Sequence, residues 1–113
     1  MEARFNVKDD PMQHFLLIYR LSPDYLERRG QFRDAHLALA WQAHEAGNLV
    51  LGGALTDPAD QAILLFRGPD SSAAEQFARQ DPYVAHGLVA AWEIRQWKTV
   101  VGEWAADPVV PTK

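Results

Sequence analysis

Residues 31–67 read QFRDAHLALAWQAHEAGNLVLGGALTDPADQAILLFR, and a change of period inside this stretch decides the fold. Over residues 31–46, Phe32, Ala35, Leu39, Ala43 and Ala46 recur at helical spacing without Pro or Gly, and Gly47-Asn48 supplies a helix-ending signature. The pattern then becomes strand-like. Two apolar runs, residues 49–56 and 61–67, flank Asp57-Pro58-Ala59-Asp60, which reads as the loop of an antiparallel hairpin.

Upstream, residues 14–20 (HFLLIYR) suit a largely buried strand, and Ser22-Pro23-Asp24 supplies turn chemistry. Downstream, a second helix opens at Ser71-Ser72, either of which can cap it, with Glu75 placed to complete a capping box. That helix must end before Pro82. After a turn around Asp81-Pro82-Tyr83, residues 88–101 carry the β-branched and aromatic content of a last strand, including Trp92, Ile94 and Trp97. The expected order is β-α-β-β-α-β, an α+β domain of ferredoxin-like type with two helices on one face of a four-stranded antiparallel sheet. The opposite face has no cover in this order, and such faces are commonly buried by dimerisation. Residues 1–12 are expected as a flexible lead-in, 13–101 as the domain, and 102–113, with Pro108 and Pro111, as an extended tail.

The 113 residues fit one domain, and 48% hydrophobic with 23% charged residues is an ordinary globular balance. A net charge of -4 lacks the basic footprint that neutralising several phosphates needs, so nucleic acid is not an expected partner. The absence of cysteine excludes disulfides, thiolate nucleophiles and cysteine-based metal sites. The apolar runs fall far short of the ~20 residues that span a bilayer, and residues 1–10 lack the apolar region of a secretory signal. A cytoplasmic protein without a membrane partner is expected.

Dinucleotide, Walker, nucleophile-elbow and His-Glu-x-x-His signatures are all missing, which points away from cofactors and metals. Acid–base chemistry must draw mainly on His14, His36, His44, His86 and a few aspartates. His36 sits in the first helix with Arg33 one turn behind it, which suits an imidazole facing a cleft beside a cation; equally, it suits a surface or hydrogen-bonded core histidine. Asp81 precedes Pro82 and is therefore held extended where a helix stops, as an oriented acid or as a plain turn initiator. His44 reads as a partly exposed helix residue. Eight positions from His36, it lies over ~10 Å away along the axis, too far to share a metal with it. Gly52-Gly53 mark either a bulge or a bare stretch of backbone against which a ligand can lie. Trp41, Trp92, Trp97 and Trp104 read as core, interface or tail-anchoring residues.

The strand ending at Arg20, Arg33-x-x-His36-Leu37, Gly47-x-Leu49-x-x-Gly52-Gly53-Ala54-Leu55, Asp81-Pro82-Tyr83 and Gly87-Leu88 together resemble the YciI-related (YCII domain) family over about residues 12–100. The resemblance implies a dimeric α+β barrel, in which two sheets pack face to face, and maps the family's characteristic histidine and aspartate onto His36 and Asp81. One departure is Gly53-Ala54-Leu55 where the family usually has Gly-Pro-Leu.

Two functional classes follow. In the first, a small-molecule enzyme uses His36 as general base or acid, Asp81 orients it or shares its proton, and Arg33 steadies an anionic substrate or intermediate, for elimination, isomerisation or hydrolysis. In the second, a non-catalytic, ligand-binding or accessory homodimer uses the same pocket. A monooxygenase on this fold is a third option, for which the sequence shows no specific residue set.

Overall fold

The computed structural model describes residues 12–112, so apart from Met12 the expected lead-in lies outside the described residues. The elements are β1 (Gln13–Leu21), α1 (Tyr25–Glu45), β2 (Leu49–Ala54), β3 (Gln61–Gly68), α2 (Ser72–Gln80), α3 (Pro82–Ala85) and β4 (Val89–Trp97). All strands join one antiparallel sheet in the order β2-β3-β1-β4. This is the ferredoxin-like α+β arrangement expected, with one short helix added.

β1 lies at the centre, and Leu17 stands opposite Leu64 on one side and Ile94 on the other. Because side chains alternate along a strand, Phe15, Leu17, Tyr19 and Leu21 are buried with Ala62, Leu64 and Phe66 of β3. Phe77, Ala74 and Ala78 of α2 close this core. The intervening Leu16, Ile18, Ile63 and Leu65 belong to the other face and are only partly buried.

Three local expectations need correction. First, α1 begins at Tyr25 rather than at residue 31. The Tyr25 ring is buried edge-on against Tyr83, centroids 5.8 Å apart, and this anchorage outweighs the ~1 kcal/mol that a glycine costs inside a helix at Gly30. Its end is as expected: Gly47 has φ +88°, and the Asn48 N–H donates to the Ala43 carbonyl at 3.0 Å.

Second, neither Ser71 nor Ser72 caps α2 with its side chain. The carboxylate of Asp70 accepts from the Ser72 hydroxyl at 2.6 Å and the Ser72 N–H at 2.9 Å, and these bonds hold its carboxyl below the usual carboxylate range. Glu75 completes no capping box, since its carboxylate takes a long contact from the Ser71 hydroxyl at 3.5 Å. Third, the chain after β4 is not extended throughout. It folds back so that the Asp107 and Val109 N–H groups donate to the Thr99 and Val100 carbonyls, at 3.0 and 2.8 Å, around a turn that includes Gly102 at φ +116°.

No described helix is long and apolar enough to cross a membrane. α1 itself is seated loosely: Tyr25 is its one buried residue, and a cavity separates much of its inner face from β2. Most of the buried apolar core therefore comes from β1, β3 and α2. Leu17→Ala, at a fully buried position, is expected to cost about 2–5 kcal/mol, read as a lower urea midpoint at unchanged slope.

Candidate active site

The cavity beneath α1 has a volume of about 480 Å³, within the range of small-molecule sites. Arg29, Arg33, His36, Leu37, Trp41 and His44 line it from α1, and Gly52, Gly53 and Leu64 from the sheet. Tyr19 and Tyr83 close it next to His36.

His36 and Asp81, far apart in sequence, meet here. The imidazole Nδ1 lies 2.9 Å from Oδ1 and 3.0 Å from Oδ2 of Asp81. Asp81 is fully buried, whereas the His36 side chain retains 16% of its exposure. Proline at the first position of α3 forces Asp81 into extended backbone, φ -71° and ψ 122°. From there its Oδ1 accepts from the Tyr83 N–H at 3.0 Å, capping α3. Its Oδ2 accepts from the Tyr19 hydroxyl at 2.7 Å.

An ionised carboxylate only accepts. Opposite an ionised Asp81, Nδ1 of His36 is therefore the protonated nitrogen, and in the neutral imidazole Nε2 carries the lone pair. The Tyr83 ring stacks on the imidazole, centroids 4.0 Å apart and planes 9° from parallel, and Phe77 meets it edge-on at 6.2 Å. The ring is thus fixed in orientation and tautomer. Such a unit can accept a proton at Nε2 while Asp81 stabilises the imidazolium that forms, and can return the proton later.

Arg33, Gly52 and Gly53 also line the cavity. The bulge in β2 falls between Leu49 and Leu51, ahead of the glycines. At Gly52 a Cβ would come within 3.3 Å of the Leu64 Cγ, whereas one at Gly53 would meet open space. His44 lines the far end, where its Nδ1–H donates to the Leu49 carbonyl at 2.7 Å and pins the end of α1 to β2. The other histidines stay away: His86 stacks on Phe32 at 4.2 Å, and His14 bonds the Thr99 hydroxyl at 2.6 Å. Burial, and then the charge of Arg67, hold His14 below the usual imidazole range. Among the described residues no group of three or more potential metal ligands occurs. Sequence reasoning missed Tyr19 and Tyr83. The alternation of β1 puts Tyr19 on the buried face, and a buried tyrosine hydroxyl needs a partner.

The family model of the YCII-related domain matches residues 12–98, and the chain belongs to that family. No curated protein matches the sequence. Among solved structures, the chain is similar to 5-chloro-2-hydroxyhydroquinone dehydrochlorinase from Burkholderia phenoliruptrix, in complex with 2,5-dihydroxybenzoquinone. The TM-score is 0.64 at 22% identity, covering 76% of this chain and 94% of that one. It is also similar to a NIPSNAP family protein from Agrobacterium tumefaciens, with a TM-score of 0.54 and 17% identity over 83% of this chain and 96% of that one. A conserved protein from Methanosarcina mazei gives 0.51 and 13% over 80% and 94%. At these identities the likeness is one of fold.

Burial, followed by the charge and hydrogen bond of Asp81, pushes the Tyr19 hydroxyl far above its ordinary value of 10.0. The folded protein thus keeps a proton that the unfolded chain releases near pH 10. The stability contributed by this group is whole below that pH and is lost as pH rises further. Tyr19→Phe is expected to lower stability at neutral pH by about 1.5–3 kcal/mol and to flatten the alkaline loss, measured by urea unfolding from neutral pH to above pH 10.

Proposed function

We propose that this YCII-related protein is a cofactor-independent small-molecule enzyme in which His36 transfers a proton through Nε2, Asp81 orients it, and Arg33 stabilises negative charge on the substrate. What supports this above all is the contact of a sealed carboxylate with a histidine that lines a cavity: a purely structural pair needs no cavity beside it. A base positioned in this way contributes ~10²–10⁴-fold in rate.

Elimination, isomerisation and hydrolysis all begin with such a transfer, and the dehydrochlorinase among the structural neighbours favours elimination. A base then removes a proton as a leaving group departs from the neighbouring atom, and Asp81 holds the charge on the imidazolium. We further propose that a second copy of the chain covers the sheet face bearing Leu16, Ile18, Ile63 and Leu65, which is apolar and only partly buried in one chain.

The test is His36→Ala on the purified protein, assayed against a panel of chlorinated hydroquinones and small enolisable acids. Turnover is expected to fall by ~10²–10⁴-fold with the fold intact by circular dichroism. Unchanged turnover on a substrate that the wild-type chain converts would remove His36 as the catalytic group, and binding without turnover of every compound by the wild-type chain would leave the non-catalytic binding protein as the better reading.

A further inference from the structure

Three arginines occupy the first half of α1, and only Arg28 has a carboxylate partner among the described residues, although the Arg29 guanidinium also lies over the Tyr25 ring, 5.7 Å from its centre. Arg28 reaches Asp24 at 3.7 Å and donates to the His86 carbonyl at 2.8 Å. Arg29 and Arg33 have no carboxylate within salt-bridge distance among the described residues. They stand four apart on α1, where like charges are neighbours and oppose helix formation. Both line the cavity. An anion between them would turn this local repulsion into attraction.

A second observation points to the same place. Tyr83 is 3% exposed and lines the cavity, and among the described residues its hydroxyl has no hydrogen-bond partner. A buried hydroxyl left unpaired is costly. Burial, and then the neighbouring Tyr25, push this hydroxyl above the usual phenol range, while Arg33 and Arg29 pull the other way. Arg29, Arg33 and Tyr83 line the same cavity, the Arg29 guanidinium lies 5.7 Å from the centre of the Tyr25 ring that meets Tyr83 edge-on, and the face of Tyr83 stacks on His36. On the His44 side of His36 the lining turns apolar, with Leu37, Ala40 and Trp41.

We propose that Arg29, Arg33 and the Tyr83 hydroxyl form an oxyanion-binding subsite, so that the substrate is a small organic carboxylate whose apolar body extends toward Leu37, Ala40 and Trp41. Two guanidiniums and a phenol offer the donors that a carboxylate accepts. From Arg33 to His36 is about 4.5 Å along the helix axis, so an acid held here presents the carbons next to its carboxylate to Nε2. The assignment of reacting atoms rests on the acid–base reading of His36; the binding subsite does not.

Benzoate and its neutral counterpart benzamide are the probes, titrated into the isotopically labelled full chain and followed by backbone amide NMR. Benzoate is expected to bind at the cavity roughly tenfold or more tightly than benzamide. Arg29→Met with Arg33→Met is expected to bring the ratio to about one, with the remaining spectrum unchanged, and R29K with R33K to retain part of the preference. His36→Ala is expected to keep the preference, so a failure of the catalytic reading and a failure of the subsite are told apart. Equal binding of the two probes overturns the proposal, as does no benzoate binding at about 10 mM or a preference that survives the double methionine substitution. Loss of the preference in His36→Ala overturns it too, because the anion would then be held by the imidazole.

Discussion

A buried carboxylate organises this protein. Leaving an ionised group inside a fold unpaired costs several kcal/mol, and Asp81 is wholly buried. It escapes that cost because three donors converge on it: the hydroxyl of Tyr19 from β1, the backbone of Tyr83 from α3, and the imidazole of His36 from α1. Each donor comes from a different element. Their positions are therefore set together, and the same bonds that make the burial tolerable also give His36 one orientation and one tautomer.

The second constraint is the loose seating of α1. A helix of its length would ordinarily bury a continuous apolar stripe, yet only Tyr25 is buried. The helix is held near its ends by Tyr25 against Tyr83 and by His44 and Asn48 at the C-terminal turn, and in between by the His36–Asp81 bond and the half-buried packing of Phe32, Leu39, Ala40 and Ala43 against the core. Space that would otherwise be core is left as a cavity, while β1, β3 and α2 supply the packing. Arg29 and Arg33 stand along this wall without a carboxylate partner among the described residues.

Much of the fold is legible in the sequence because it is carried by local periodicity. The alternation of β1, the helical spacing through Ala43, the ending at Gly47-Asn48 and the extended backbone before Pro82 all rest on neighbours in the chain. Elements that depend on distant partners are not legible in this way. The start of α1 is decided by Tyr25 meeting Tyr83, and the roles of Tyr19 and His36 by an aspartate far along the chain. For the site, residue types and the family resemblance together single out His36 and Asp81. Tyr19 was out of reach because nothing near it in sequence shows which buried polar group its hydroxyl would meet.

The most direct measurement is the ¹⁵N NMR spectrum of the His36 side chain in the neutral form, compared between the wild-type chain and Asp81→Asn. The account predicts a protonated Nδ1 and a bare Nε2 in the wild-type chain, with this tautomer losing its dominance once the carboxylate is replaced. A wild-type imidazole protonated on Nε2, or one whose tautomer is indifferent to Asp81, would contradict it.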